Sequence, residues 1–197
     1  MSVGDAIAGT LAMARGAPGW RERLPTGRAG VSASFRALFL AAPSILLLAE
    51  VSRRGVMEAG QSMQGLPTGD PIAFAVLNLG VAVTAWMAGL ALLARLARRD
   101  GGARAEAAVI VGYNWARFIA HTIGGLGAVL AVATSVPAFL SVSSLAVLAA
   151  SVWLDLGIIR RALELPLGRA LGAYAFVLLA RVLAGLVVTL LGLALLG

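Results

Sequence analysis

Residues Ala170 to Leu196 read ALGAYAFVLLARVLAGLVVTLLGLALL, 27 residues whose only charge is Arg181. A helix on the surface of a soluble protein needs a polar face, and this stretch has none. At 1.5 Å per residue, about 20 apolar residues cross a hydrocarbon core about 30 Å thick, so the segment reads as a transmembrane helix. Four further runs extend the pattern toward the N-terminus: Val136 to Ile159, about Ala105 to Ala133, Pro71 to about Leu96, and about Phe35 to Val51. The last is the shortest, with Pro43 inside it and Glu50 near its end, and reads as a full span rather than a re-entrant one. Each run is longer than a strand of a membrane barrel and lacks its polar/apolar alternation, which leaves helices as the structure that satisfies the backbone in lipid. The expected fold class is an all-α integral membrane protein, a bundle of five transmembrane helices (35–51, 71–96, 105–133, 136–159 and 170–196). Residues 1–34 are expected to form a cytoplasmic tail with at most a short interfacial helix.

Composition agrees. Of the 197 residues 60% are hydrophobic and 13% charged, and mean hydropathy is +0.92. Soluble domains run about 45–50% apolar and about 25% charged, so the first partner of this chain is the lipid bilayer. The absence of cysteine excludes disulfides and thiolate chemistry. With one histidine, His121, no His-rich metal site can form, and no cofactor is expected. The basic residues are all arginine, 16 against 9 acids. They lie between apolar runs rather than on a soluble face interleaved with aromatics, which argues against nucleic acid as a partner. Met1 to Thr10 carries Asp5 and no basic residue, unlike a secretory signal.

Cytoplasmic loops collect arginine. Arg15, Arg21, Arg23, Arg28 and Arg36 precede or open the first span, Arg95, Arg98, Arg99 and Arg104 follow the second, and Arg160, Arg161 and Arg169 follow the fourth. The opposite side holds Arg53 and Arg54 alone. This alternation places the N-terminus in the cytoplasm and the C-terminus in the periplasm, as a multi-pass protein of a bacterial inner membrane. The outer loop from Ser52 to Asp70, which includes Gln61, Met63 and Gln64, reads either as a surface-lying helix or as a solvated loop. Its Asp70-Pro71 end is suited to cap the second span.

Ionisable groups at membrane depth are expensive, about 2.5–3.5 kcal/mol each at a helix centre. The candidate site is therefore an intramembrane polar cluster: Asn114, Arg117 and His121 in the third span, Asp155 in the fourth and Arg181 in the fifth. The first three fall within about 60° of one another on one helical stripe. Arg117 and Arg181 each sit about 12 residues, or about 18 Å, from the cytoplasmic start of their helices. Asp155 is shallower by about 10 Å, a gap that a snorkelling arginine can close, so it is expected to pair with Arg181 or Arg117. The cluster could line an anion or proton pathway, or it could fix helix packing through buried ion pairs and hydrogen bonds. Packing is the favoured reading, because the halves of the chain show no repeat of the transporter kind.

Small residues spaced at i, i+4, such as Gly80 with Thr84, Gly124 with Ala128 and Gly185 with Thr189, allow close helix approach. They point to a compact bundle and more weakly to a homo-oligomer. Gly124, Gly125 and Gly127 lack the Lys-Ser/Thr pair of a phosphate loop. No Ser/His/Asp set, paired carboxylates or metal motif is present, so no enzyme is expected.

The box Tyr113-Asn114-Trp115-Ala116-Arg117, with Trp153-Leu154-Asp155 leading to Ile159-Arg160-Arg161-Ala162-Leu163, resembles the small bacterial membrane proteins of the Yip-type domain family. The likeness covers about residues 33 to 197, and Arg181 departs from it. It implies five spans with a cytoplasmic N-terminus, and an adaptor rather than a catalyst. The expected function is accordingly a non-enzymatic scaffold or modulator of a membrane-protein partner. The alternative is a small transporter or channel-like protein that uses the polar cluster.

Overall fold

The structure is a computed structural model that describes residues 2–58 and 66–196. The described residues are helical or in short turns: α1 (Val3–Arg15), α2 (Trp20–Arg23), α3 (Arg28–Ser34), α4 (Arg36–Glu58), α5 (Pro71–Thr134), α6 (Ala138–Ala162) and α7 (Leu167–Leu196). Four stretches are long and apolar enough to cross a membrane: Arg28–Glu58, Pro71–Thr134, Ala138–Ala162 and Leu167–Leu195.

The second of these, 64 residues long, is not a straight rod. Gly102 has φ 71° and ψ −169°, outside the helical region, in a conformation that glycine adopts without steric cost. A continuous helix would hold Trp86 and Asn114 about 42 Å apart. Instead the Trp86 indole N–H donates to the Asn114 side-chain oxygen across 2.9 Å. Arg98 and Glu106 also meet across the turn, at 3.3 Å. α5 is therefore an antiparallel hairpin with a first arm over 71–101 and a second arm over 103–134.

Register fixes the direction of the other rods. Ser34 meets Asn114, and further along both segments Ser44 and Leu48 meet Gly125 and Gly124, so α3–α4 run roughly parallel to the second arm. Ile158, Asp155, Ser151, Val147 and Ser143 meet Gly112, Arg117, Gly124 and Gly127 in opposite order, so α6 is antiparallel to that arm. Arg181, Gly185, Val188 and Gly192 likewise descend the first arm from Gly89 to Leu77, and α7 is antiparallel to it. The second arm lies at the centre, with Val109, Val111, Tyr113 and Ala116 fully buried. Glycines make the tight crossings: a Cβ on Gly124 would lie 2.8 Å from Leu48 Cδ1, and one on Gly125 would lie 2.6 Å from Ser44 Oγ.

Several boundaries differ from the sequence expectation. α4 passes unbroken through Pro43 and continues to Glu58, so the first seven residues of the segment read as outer loop are helix; Gln61, Met63 and Gln64 lie outside the described residues. There Arg53 and Arg54 both bond Glu50, at 2.8 and 2.6 Å. Arg53 also donates to the Thr68 carbonyl at 3.0 Å, which ties the end of α4 to the approach to α5. Asp70 caps α5 by accepting from the Ile72 and Ala73 amides, with Pro71 in the first turn.

Within the segment expected as a tail, residues 2–34 pack against the long helices. α1 starts in a capping box, Ser2 with Asp5, in which the Ser2 hydroxyl holds the Asp5 carboxyl below the usual carboxylate range. It ends on Gly16 at φ 70°, whose N–H satisfies the last carbonyls. Ala6, Thr10 and Met13, spaced i, i+4 and i+7, are fully buried. Met13 sits against Gly112 and Ile158, Ala14 against Gly157, and Arg15 over Trp153 at 6.0 Å. At the other end Val3 shares a crevice with Phe39, Leu40 and Trp115. The helix thus lies across the second arm and α6. The sequence signal was faint because the buried stripe consists of Ala, Gly, Thr and one Met.

Candidate functional site

Asp155 faces inward from α6 and is completely buried. Arg117 of the second arm donates to its Oδ1 at 2.7 Å, and Arg181 of α7 reaches its Oδ2 at 3.5 Å. One carboxylate therefore joins three rods. Arg117 is held further by the Ser151 hydroxyl at 3.3 Å and lies 5.3 Å from the centre of the Tyr113 ring, within cation–π range. Its Nε and the Tyr113 hydroxyl are buried with no hydrogen-bond partner among the described residues. Ser151 is one helical turn from Asp155 and Tyr113 is one turn from Arg117, so each partner sits on the same face as the charge it supports.

The five expected residues separate into two groups. Arg117, Asp155 and Arg181 form the ion triad, in which the carboxylate engages both arginines rather than one. Asn114 forms a second link: it accepts from the Trp86 indole and donates to the Ser34 hydroxyl at 2.9 Å, and Ser34 in turn donates to the Val31 carbonyl at 2.7 Å. His121 joins neither by hydrogen bond. It stacks on Trp86 with ring centres 5.8 Å apart and borders a crevice of about 230 Å³ beside Ser52 and Asn78. The shared stripe splits because Arg117 turns toward α6 while Asn114 and His121 meet the first arm. Sequence reading missed Ser34, Trp86 and Ser151. Ser34 fell in the segment taken as tail, and Trp86 reads as an ordinary apolar residue of a span until the hairpin folds it back.

Removing the Asn114 side chain strands the Trp86 donor and half of the Ser34 bonding in a buried site. Asn114→Ala is expected to lower stability by about 1–3 kcal/mol, measurable as a reduced melting temperature in mild detergent, with Ser34→Ala giving the smaller loss.

The Arg117–Asp155 pair has no visible route to solvent, whereas Arg181 is partly exposed. Arg117 is 2% exposed and Asp155 0%, and neither borders the crevice beside His121. A cavity of about 400 Å³ lies elsewhere, between Trp20, Arg21, Asp100, Arg104 and Glu164. Arg21 bonds Glu164 there at 2.6 Å. That contact brings the N-terminal helices, the Gly102 turn and the α6–α7 turn to one end of the bundle, with their arginines. Among the described residues no group of three His, Cys, Asp or Glu could hold a metal ion.

No protein-family model matches the chain, nor does any curated protein or solved structure.

Proposed function

We propose that this chain is a five-span bacterial inner-membrane protein, N-terminus cytoplasmic and C-terminus periplasmic, that acts as a non-enzymatic scaffold or modulator of a membrane partner. Two observations support the topology. The rods alternate in direction once α5 is divided at Gly102, and the Arg21–Glu164 contact gathers the arginine-bearing turns at one end. The Yip-type motif around Tyr113 to Arg117 and Trp153 to Arg161 fits the same arrangement and an adaptor role.

The observation that carries the functional reading is the sealed pair Arg117–Asp155. Groups at 3% and 0% side-chain exposure, bonded to one another at 2.7 Å, suit a staple between helices better than a relay along a path. The transporter reading draws on the excess positive charge of the triad, which an anion could use. Reconstitution into liposomes separates them: chloride and proton flux is expected to stay at the level of protein-free vesicles. A flux lost in Arg117→Ala or Arg181→Ala variants that insert and accumulate normally would establish a transporter instead.

A further inference from the structure

Charge does not close within the bundle. Two guanidinium groups face one carboxylate, and the surplus falls on Arg181, which is 24% exposed at the side chain while Asp155 and Arg117 are sealed. Its one hydrogen bond among the described residues is the long contact to Asp155, at 3.5 Å. A guanidinium carries five donors, so most of its capacity is unused by the described residues, and the exposed quarter of the side chain faces outward. In the five-span reading, on which this inference rests, that outward face meets lipid tails, where an unneutralised cation is costly.

The open side is also where protein cover is thinnest. α6 and α7 touch sparsely. Beyond Asp155, the outer half of α6 exposes Val142, Leu145 and Leu148, and α7 exposes Leu178, Val182 and Leu186 on the helix flank adjoining Arg181. A long apolar surface with one incompletely paired cation at its base fits a helix of matching apolarity with one acid at that level.

A second copy of this chain does not fit. Of its nine acids, Asp5, Glu22, Glu58, Asp70, Asp100, Glu106 and Glu164 lie in the N-terminal segment or at helix ends and turns, Glu50 is held by Arg53 and Arg54, and Asp155 is already engaged. Two copies meeting at this face would set Arg181 against Arg181.

We propose that the α6–α7 face is a docking site for a transmembrane helix of a different protein, one that carries an intramembrane Asp or Glu which completes the charge of Arg181. The probe is a synthetic Leu/Ala transmembrane peptide with one Asp at the level of Arg181, compared with a twin carrying Leu there. Association with the labelled full-length protein is read by energy transfer in phosphatidylcholine vesicles. The Asp peptide is expected to bind about tenfold more tightly than its twin, near the upper range for polar contacts between membrane helices. The advantage should vanish in Arg181→Met, which leaves the Arg117–Asp155 pair intact, and persist in Arg181→Lys. Equal binding of the two peptides, or an Asp advantage unchanged in Arg181→Met, would overturn the proposal. So would loss of the advantage on adding phosphatidylglycerol, which would assign the cation to a lipid phosphate. None of these results bears on the scaffold reading, which falls only if the protein conducts.

Discussion

Asp155→Ala is expected to deplete the protein from the membrane, with a loss of stability of about 3–5 kcal/mol, the range for breaking one side of a buried ion pair. Total stabilities of only about 5–15 kcal/mol make that loss decisive. The cause is the two cations left behind: Arg117, at 2% exposure, would keep only the Ser151 hydroxyl and the Tyr113 ring. Asp155→Asn keeps the shape but not the charge and should fail in the same way. Removing the pair together should not. In Arg117→Leu with Asp155→Leu the buried charges are replaced by apolar volume, a change that is often neutral or stabilising, and the half-open Arg181 can snorkel toward the surface. Membrane-fraction yield and melting in detergent are the readouts. An Asp155→Ala protein with normal yield and melting would mean that the triad does not hold the helices.

Gly127→Val should give the second large effect. A Cβ at Gly127 falls on the Ser143 side chain and lies 3.3 Å from the Phe139 carbonyl, so α6 would have to move off the second arm. Gly125 is limited on the other side, where a Cβ would lie 3.1 Å from Ser44 Cα, a backbone atom of α4. These glycines set the separation of three rods, and overfilling such a contact costs about 1–3 kcal/mol. Gly172→Ala is the matched control, since a Cβ there meets nothing within 4 Å; it should raise stability by up to about 1 kcal/mol through helix propensity. If Gly127→Val melts with Gly172→Ala, the close approach of α6 is not a real constraint.

Much of the fold could be read from the sequence because lipid imposes simple demands. Apolar runs marked where the long helices lie, although α4 runs seven residues past Val51, and the Arg95–Arg104 cluster placed a turn where Gly102 breaks the backbone. Asp155 stood out as the single acid near two intramembrane arginines, so its partners were foreseeable from depth alone. The second hydrogen-bonded link was not. Trp86 and Ser34 are separated from Asn114 by 28 and 80 positions, and nothing in their neighbourhoods marks them until the hairpin and α3 bring them together. α1 escaped for another reason: its buried face is built from residues too small to give a strong apolar stripe, and the polar and glycine-rich stretch that follows it reads as a tail.

The central claim is that five rods cross the membrane in alternation. With no native cysteine, single-cysteine variants can be labelled with a membrane-impermeant thiol reagent. Thr68→Cys and Val136→Cys should be labelled from the periplasmic side of intact spheroplasts, and Ala103→Cys and Glu164→Cys only after the membrane is opened. Labelling of Ala103→Cys and Val136→Cys from the same side would contradict the account, because the second arm of α5 would then not cross.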